Sequence, residues 1–187
     1  MKNQAVFIDR DGVLNEDFGY TSQLSDLKIL EGVVEGLQAI LALNFKVIII
    51  TNQSGIARGL YSIEDLHVFM NEMINIFLKN QIDITDYFFC PHYPGGMVQE
   101  YAIKCSCRKP EAGMLFAAEK KYNLDLSKSI LIGDKETDIL AGQNANLFSN
   151  ILIGSEERND QSNATHIAQS LIDAAEIIKT YDPLGLI

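Results

Sequence analysis

Short apolar runs alternate along this chain with segments of helical periodicity, and this alternation most constrains its fold. The runs are short and rich in β-branched or aromatic residues, which is typical of buried strands; they cover 5–8, 46–50, 87–90, 129–132 and 150–153. The amphipathic segments predict helices over 33–43, 63–79, 113–122, 136–144 and 170–179. Strands that alternate with helices favour an α/β fold, a doubly wound parallel sheet covered on both faces.

The rest of the sequence gives no sign of a second domain. The chain has 187 residues, enough for one sizeable core, and it contains no repeat, low-complexity tract or Pro/Gly/Ser linker. We therefore expect residues 1–187 to form a single domain, with the polar stretch 154–165 as a surface loop. His67 falls within a predicted helix, and His166 is predicted to lie in a loop or at a helix start.

The charge of the chain argues against some classes of partner. It carries 25 acidic and 15 basic residues, so the formal net charge is −10. An acidic chain repels nucleic-acid backbones and anionic membranes, and no long Lys/Arg run offsets the average. No apolar run reaches membrane-spanning length, and the N-terminal residues do not resemble a signal peptide. We expect a cytoplasmic protein with a small-molecule substrate, without nucleic-acid or membrane partners, and nothing demands more than a monomer.

Acidic residues follow two of the predicted strands. Asp9 and Asp11 end the first strand and Gly12 permits a sharp turn after them, while Asp134 ends the fourth strand and Asp138 follows one helical turn later. Functional groups in such sheets gather at the carboxyl ends of the strands. Carboxylates that converge there repel one another unless a hard cation neutralises them, and Mg²⁺ prefers oxygen ligands. The pattern predicts a magnesium site.

Hydrogen-bond donors and cations accompany these carboxylates. The second strand ends in Thr51 and Asn52, followed by the turn Ser54–Gly55, and Arg108 and Lys109 add positive charge. Each of these residues taken alone could be a helix cap or a solvated surface group. Their order at successive strand ends, together with the carboxylates, instead favours a phosphoryl-transfer pocket.

All three cysteines lie within one predicted loop. Cys90 and His92 form one close pair, and Cys105 and Cys107 form a second pair just before Arg108. Three thiolates and one imidazole suit tetrahedral Zn²⁺, and four protein ligands make a structural site. Zinc would pin the 90–107 loop and hold the basic residues after it. The alternative, a buried strand cysteine beside a surface histidine, leaves the second pair unexplained.

Four motifs resemble those of the haloacid dehalogenase superfamily of phosphatases. They are "DRDGVLN", "TNQSG", "RKP" and "GDKETD", and together they span residues 9–138. The resemblance implies the Rossmann-like sheet of that superfamily. No insertion between Asp11 and Thr51, or between Gly55 and Lys109, is long enough for a large cap domain, so we expect an open site.

The resemblance also implies a role for individual residues. Asp9 would be the nucleophile that forms an aspartyl-phosphate, and Asp11 would be the general acid and then the general base. Mg²⁺ would be held by the carboxylates of Asp9 and Asp134 and by the backbone carbonyl of Asp11. Thr51 and Lys109 would hold the transferring phosphoryl group.

The cysteine loop narrows the resemblance to one branch of the superfamily. Its "CPH…CSCRKP" arrangement is similar to that of the heptose 1,7-bisphosphate phosphatases and the histidinol phosphatases, and the long interval "YPGGMVQEYAIK" resembles the heptose pattern. This implies removal of the C7 phosphate of D-glycero-D-manno-heptose 1,7-bisphosphate, in nucleotide-activated heptose synthesis for surface glycans such as lipopolysaccharide. The residues implied to surround the substrate are Asp17, Gly19, Tyr20, Asn52, Gln53, Ser54, Arg108 and Lys135.

Other functions are compatible with parts of this pattern. A histidinol-phosphate phosphatase would use the same chemistry on another small metabolite. A non-catalytic zinc-stabilised binding module is disfavoured by the intact Asp9, Asp11, Lys109 and Asp134. A nucleic-acid 3′-phosphatase is disfavoured by the net charge of −10.

Overall fold

Six parallel strands form the centre of the fold. The computed structural model describes residues 2–154 and 162–181. The strands are β1 (Ala5–Ile8), β2 (Lys46–Asn52), β3 (Asp86–Cys90), β4 (Ile130–Gly133), β5 (Ser149–Ile153) and β6 (His166–Ala168). Their order in the sheet is β3-β2-β1-β4-β5-β6, and every neighbouring pair is parallel. The predicted α/β fold with a parallel, Rossmann-like sheet is confirmed.

Within the two described ranges, five α-helices connect or follow the strands. They are α1 (Val33–Ala42), α2 (Ile63–Lys79), α3 (Gly113–Tyr122), α4 (Glu136–Asn144) and α5 (Leu171–Lys179). Single 3-10 turns cover Leu24–Asp26 and Leu126–Lys128. Ser62 caps α2 by accepting from the backbone of Asp65, whose carboxylate accepts from the backbone of Ser62 in return. The predicted helices agree with these bounds to within one residue.

The two faces of the sheet pack against different helices. On β1, Val6 and Ile8 point into a core with apolar side chains of α1, α2 and α5. The alternate residues Ala5 and Phe7 point into a second core with α3 and α4. All four are fully buried. Because side chains alternate across a strand, a strand buried on both faces must be apolar throughout, as "AVFI" is.

The sixth strand was not predicted from the sequence. β6 has only three residues, pairs with the edge of β5, and two of its side chains are exposed. Such a short edge strand lacks the apolar run that identifies the inner strands. The prediction for His166, a loop or helix start, is therefore wrong. Of the predicted loop 154–165, residues 155–161 lie outside the described residues.

The order of the strands places a crevice at the end of β1. The chain leaves β1 toward β2 and leaves the neighbouring β4 toward β5, in opposite directions, so the crevice opens between the carboxyl ends of β1 and β4. Asp9 follows β1, Thr51 lies in β2 and Asp134 follows β4. In the two ranges that the structure describes, no separate cap domain covers this crevice, and no helix is long and apolar enough to cross a membrane.

Candidate active site

A pocket of about 650 Å³ opens at the carboxyl ends of the central strands. Every residue that the sequence analysis expects to be catalytic, phosphate-binding or substrate-binding lies in its wall. The lining residues are Asp9, Asp11, Asp17, Gly19, Tyr20, Thr51, Asn52, Gln53, Ser54, Tyr61, Arg108, Lys109, Pro110, Lys135, Thr137 and Asp138. Asp134 lies beside them, with a carboxylate oxygen within 4.8 Å of those of Asp9 and Asp138.

Lys109 forms the centre of the charged cluster. Its Nζ lies 2.8 Å from Asp9 Oδ1 and 2.6 Å from Asp138 Oδ1, and it donates to the carbonyl of Ile50 at 3.0 Å. Burial alone would lower the pKa of Lys109, but the charges of Asp138 and Asp9 raise it above its ordinary value. Asn52 fixes the backbone of Lys109 by accepting from its N–H and donating to its carbonyl. The ammonium is thus held charged, in one place.

Asp9, which is buried, and Asp134, which is partly buried, bring two carboxylates together. Burial raises the pKa of Asp9 and, together with the charge of Asp9, raises the pKa of Asp134 to about 7. Within the described residues, Asp134 Oδ1 is buried without a hydrogen-bond partner. This arrangement fits a divalent cation that prefers oxygen ligands. Asp138 fits a ligand role less well, because its two oxygens already contact Lys109 and the backbone N–H of Lys135.

Gly12 makes the close approach of Asp134 possible. Its φ is +85°, and a Cβ added there would lie 2.4 Å from Asp134 Oδ2. Residues with a side chain rarely adopt this backbone conformation, and no side chain fits in this space. The turn after Asp11 therefore depends on glycine for two independent reasons.

Asp11 is held by three side chains. Arg10 donates to both of its carboxylate oxygens, at 2.8 Å from one guanidinium nitrogen and 3.0 Å from Nε. Asn15 donates to Oδ1 at 3.1 Å and Gln53 donates to Oδ2 at 3.0 Å. Gln53 also donates to Thr51 Oγ1 at 2.7 Å, which leaves the Thr51 hydroxyl proton free to point into the pocket.

Aromatic rings and guanidinium groups form a rim in which Tyr20 and Arg108 line the pocket, while Arg58 and Tyr93 pack against them. The guanidinium carbon of Arg58 lies 4.0 Å from the ring centroid of Tyr93 and 5.4 Å from that of Tyr20. The same Tyr93 ring has Arg108 at 5.6 Å. Lys135 also lines the pocket, and it contacts Asp17 at 3.3 Å and Asp134 at 3.4 Å. The rim therefore presents three cations to a ligand that extends out of the pocket.

The predicted zinc ligands meet beside the pocket. One donor atom from each of Cys90, His92, Cys105 and Cys107 lies within 4.8 Å of the others. The sulfurs are 3.1 to 3.5 Å apart, far longer than the roughly 2.05 Å of a disulfide bond. The pKa of Cys107 is lowered, because its hydrogen-bonding contacts with Cys90, Cys105 and His92 favour the thiolate. The donor set fits a tetrahedral zinc ion and makes this cluster a candidate zinc site.

The cluster connects to the rim through the backbone of the loop. Arg108 follows Cys107 directly and donates from its guanidinium to the carbonyl of His92 at 3.3 Å. Met97 and Val98 donate to the carbonyl of Ala57 at 2.7 and 2.9 Å, next to Arg58. The loop between the Cys90/His92 pair and the Cys105/Cys107 pair therefore lies on the turn that follows β2.

Several residues of the site were not singled out from the sequence. Arg10 and Asn15 contact Asp11, and Tyr61 donates to Gln53 Oε1 at 2.5 Å. The sequence indicates Asp138 as one of the carboxylates of the site, but it does not indicate the contact of Asp138 with Lys109. The position of Arg10 between two predicted functional aspartates was a usable signal. For Tyr61, the sequence carries no comparable signal.

Comparisons with known proteins agree on one family. Residues 106–174 match the HAD-hydrolase-like family model. A D-glycero-alpha-D-manno-heptose-1,7-bisphosphate 7-phosphatase of Photorhabdus laumondii is 43% identical over 146 residues, which cover 78% of this chain and 80% of the relative. A D-glycero-beta-D-manno-heptose-1,7-bisphosphate 7-phosphatase of Haemophilus influenzae is 36% identical over 181 residues, 95% of this chain and 97% of the relative.

A solved structure extends this similarity to the fold. The D,D-heptose 1,7-bisphosphate phosphatase from B. bronchiseptica, complexed with magnesium and phosphate, superposes with a TM-score of 0.83 at 25% identity. The match covers 95% of this chain and 98% of that structure.

Replacing Gly12 tests how tightly the turn packs on Asp134. We expect Gly12→Ala to lower the free energy of unfolding by at least about 2 kcal/mol, since backbone strain and overlap with Asp134 add. Gly19→Ala is the matched control, because Gly19 has a φ of +78° but no atom within 4 Å of an added Cβ. It should lose only about 1 kcal/mol. Equal losses in urea unfolding of the two variants would show that the overlap is unimportant.

Proposed function

This chain belongs to the family of HAD-like hydrolases that contains the heptose-1,7-bisphosphate 7-phosphatases, and from this premise we propose that it hydrolyses the C7 phosphate of a D-glycero-D-manno-heptose 1,7-bisphosphate. That the enzyme is a phosphatase follows from its relatives. The observation that carries the proposal is the buried contact of Lys109 with Asp9 in a pocket that also contains Asp11 and Thr51. The reaction would serve nucleotide-activated heptose synthesis, as in lipopolysaccharide assembly.

The proposed reaction proceeds in two steps through Asp9. Its carboxylate attacks phosphorus, the bond from phosphorus to the C7 oxygen breaks, and an aspartyl-phosphate forms. Asp11 gives a proton to the leaving oxygen. The Asp11 carboxylate then takes a proton from a water molecule that attacks the aspartyl-phosphate, releasing inorganic phosphate and restoring Asp9.

Lys109 and Thr51 are the proposed partners of the transferring phosphoryl group. Lys109 Nζ is 2.8 Å from Asp9 Oδ1, so its positive charge lies next to the atoms that react. Thr51 is buried and accepts from Gln53, which directs its own proton toward the pocket. Fixed donors of this kind stabilise charge that develops on the phosphoryl oxygens without having to reorganise.

Mg²⁺ is the proposed cofactor of the carboxylate cluster. The buried and unpartnered Oδ1 of Asp134, together with the neighbouring Asp9 carboxylate, fits this ion. Asp9, Asp134 and the backbone carbonyl of Asp11 would hold it. When bound, Mg²⁺ supplies positive charge that offsets the charge of the phosphoryl group. The related structure complexed with magnesium and phosphate supports this assignment.

The cations of the rim suit a second phosphate. Arg108 lies beside Lys109 in the pocket wall, and Lys135, which also lines the pocket, lies next to Asp17. We assign the C1 phosphate to Arg108 and Lys135, with Arg58 at the outer edge. The sugar would contact the remaining predicted residues, which are Asp17, Gly19, Tyr20, Asn52, Gln53 and Ser54.

We assign a structural zinc ion to Cys90, His92, Cys105 and Cys107. Four ligands leave no open coordination position for catalysis. The hydrogen bond from Arg108 to the carbonyl of His92 supports the view that this metal site holds the rim rather than the reacting atoms. We propose that 1–187 act as one phosphatase domain, in which the 90–107 loop takes the place of a cap.

The proposed substrate is tested by comparing three phosphate esters with Mg²⁺ present. We expect the preferred anomer of heptose 1,7-bisphosphate to exceed histidinol phosphate in kcat/KM by at least about 100-fold, since only the bisphosphate occupies both groups of cations. Phosphate release is measured for the α anomer, the β anomer and histidinol phosphate. Preference for histidinol phosphate would leave the phosphatase chemistry intact but reject the heptose assignment.

The nucleophile is tested with Asp9→Asn. The amide cannot attack phosphorus, so turnover should fall by at least about 1,000-fold. Asp17→Asn is the comparison variant, because Asp17 lies at the exposed rim and contacts Lys135. It should act mainly on KM. Asp9→Asn turnover above a tenth of the wild-type value would contradict the aspartyl-phosphate mechanism.

The zinc site is tested by elemental analysis and thermal unfolding. The wild-type chain should carry one zinc ion, and Cys105→Ser should lose it and unfold at a lower temperature, since metal binding contributes to folding. Ser106→Ala changes the residue between the two cysteine ligands and should keep the metal. Purified wild-type protein that holds no zinc and does not respond to a chelator would rule out this site.

A further inference from the structure

Arg10 is a charged residue buried completely beside the active site. Its side chain has no exposed surface, although it belongs to the most polar residue types. Burying a guanidinium costs free energy unless the charge is paired and hydrogen-bonded. Its charge is paired only with Asp11 among the described residues.

The geometry of this pair constrains the Asp11 carboxylate. Nε and one terminal nitrogen of Arg10 donate to Oδ1 at 3.0 and 2.8 Å, and the same terminal nitrogen reaches Oδ2 at 2.8 Å. Asn15 and Gln53 donate to the two oxygens from other directions. A planar guanidinium that contacts both oxygens fixes the rotation of the carboxylate, which a point charge such as lysine does not.

The same guanidinium also contacts the segment 17–21, which contributes residues to the pocket wall. The terminal nitrogen that contacts Asp11 donates to the carbonyl of Thr21 at 2.7 Å. The guanidinium carbon lies 4.6 Å from the ring centroid of Phe69 in α2, and this cation–π contact further stabilises the buried group. Thr21 ends the segment that carries Gly19 and Tyr20 into the pocket wall. The side chain of Arg10 therefore links Asp11 to the segment 17–21.

We propose that Arg10 is a positioning residue that orients the Asp11 carboxyl group for proton transfer and keeps it in register with segment 17–21. Arg10 exchanges no proton itself. Asp11 passes its proton to the leaving oxygen as the phosphorus–oxygen bond breaks, and the carboxylate that remains is paired with the guanidinium. The inference rests on the proposed acid and base role of Asp11.

The test separates positioning of an acid from general loss of structure by varying the leaving group. Arg10→Lys is assayed on the sugar bisphosphate, whose leaving oxygen needs a proton, and on 2,4-dinitrophenyl phosphate, whose phenolate leaves without one. We expect kcat on the sugar bisphosphate to fall by about 10- to 100-fold with KM changed less than about threefold. First-turnover release of dinitrophenolate should fall by less than about threefold.

Two comparison variants locate the cause of any loss. Asp11→Asn should show the same dependence on the leaving group. If Arg10 acts through Asp11, the double variant with Asp11→Asn and Arg10→Lys should release dinitrophenolate at a rate within about twofold of that of Asp11→Asn alone. Arg108→Lys, which replaces an arginine that contacts the loop carbonyl of His92, should instead raise KM for the bisphosphate. If Asp11→Asn lacks the leaving-group dependence, the proposed role of Asp11 fails.

Other outcomes would overturn the role of Arg10 itself. Equal losses of Arg10→Lys on both substrates, or no loss, reject positioning while leaving the proposed function intact. An Arg10→Lys protein that does not fold shows that the guanidinium is a structural group of the core. Asn15→Ala then tests whether donors to the same oxygen matter, because it removes one hydrogen bond to Oδ1 without removing the buried charge. Asn15→Ala should lower kcat on the sugar bisphosphate less than Arg10→Lys would, and it should spare first-turnover release of dinitrophenolate. If Asn15→Ala shows no such dependence on the leaving group, the inference is rejected.

Discussion

The buried ammonium of Lys109 is the contact on which the rest of the site depends. It joins residues from three parts of the chain, since it contacts Asp9 after β1, Asp138 in α4 and the carbonyl of Ile50 in β2. Removing one partner from a buried ion pair costs about 3–5 kcal/mol, because the charge left behind has no solvent. The cluster therefore needs each of these elements to be in place, and it links the correct sheet topology to the arrangement of reactive groups.

Much of the fold could be predicted because its inner strands are continuous apolar runs. Much of the candidate site could be predicted because its residues lie at the carboxyl ends of those strands. The runs that form β1, β2 and β4 are buried on both faces, so their apolar composition identifies them without knowledge of the partners. Once a parallel sheet is expected, residues directly after these strands must share one edge. This is why Asp9, Thr51 and Asp134 could be brought together from sequence alone.

The features that the sequence did not predict depend on contacts between residues that are distant in the chain or on side-chain burial, and hydrophobic periodicity indicates neither. β6 is three residues long and half exposed, so its pairing depends on the edge of β5 and not on an apolar run of its own. Asp138 lies next to the other carboxylates, as the sequence predicts, but its ion pair with Lys109 depends on side-chain distances that the sequence does not contain. The guanidinium of Arg10 is fully buried and does not line the pocket, so its contacts with Asp11 depend on a burial that the sequence does not show.

The arrangement separates chemistry from recognition in physical terms. The groups that we propose to react follow the central strands, whose positions are fixed by packing on both faces of the sheet. The rim, by contrast, comes from loops, and its cations are held by aromatic rings and backbone carbonyls, as Arg58 is by Tyr93 and Arg108 is by His92. A metal ion bound by the two pairs of the 90–107 loop would stiffen this rim without touching the reacting atoms. A loop fixed in this way can shape the pocket, since no cap domain covers it within the described residues, and Arg10 adds a further link between Asp11 and the carbonyl of Thr21.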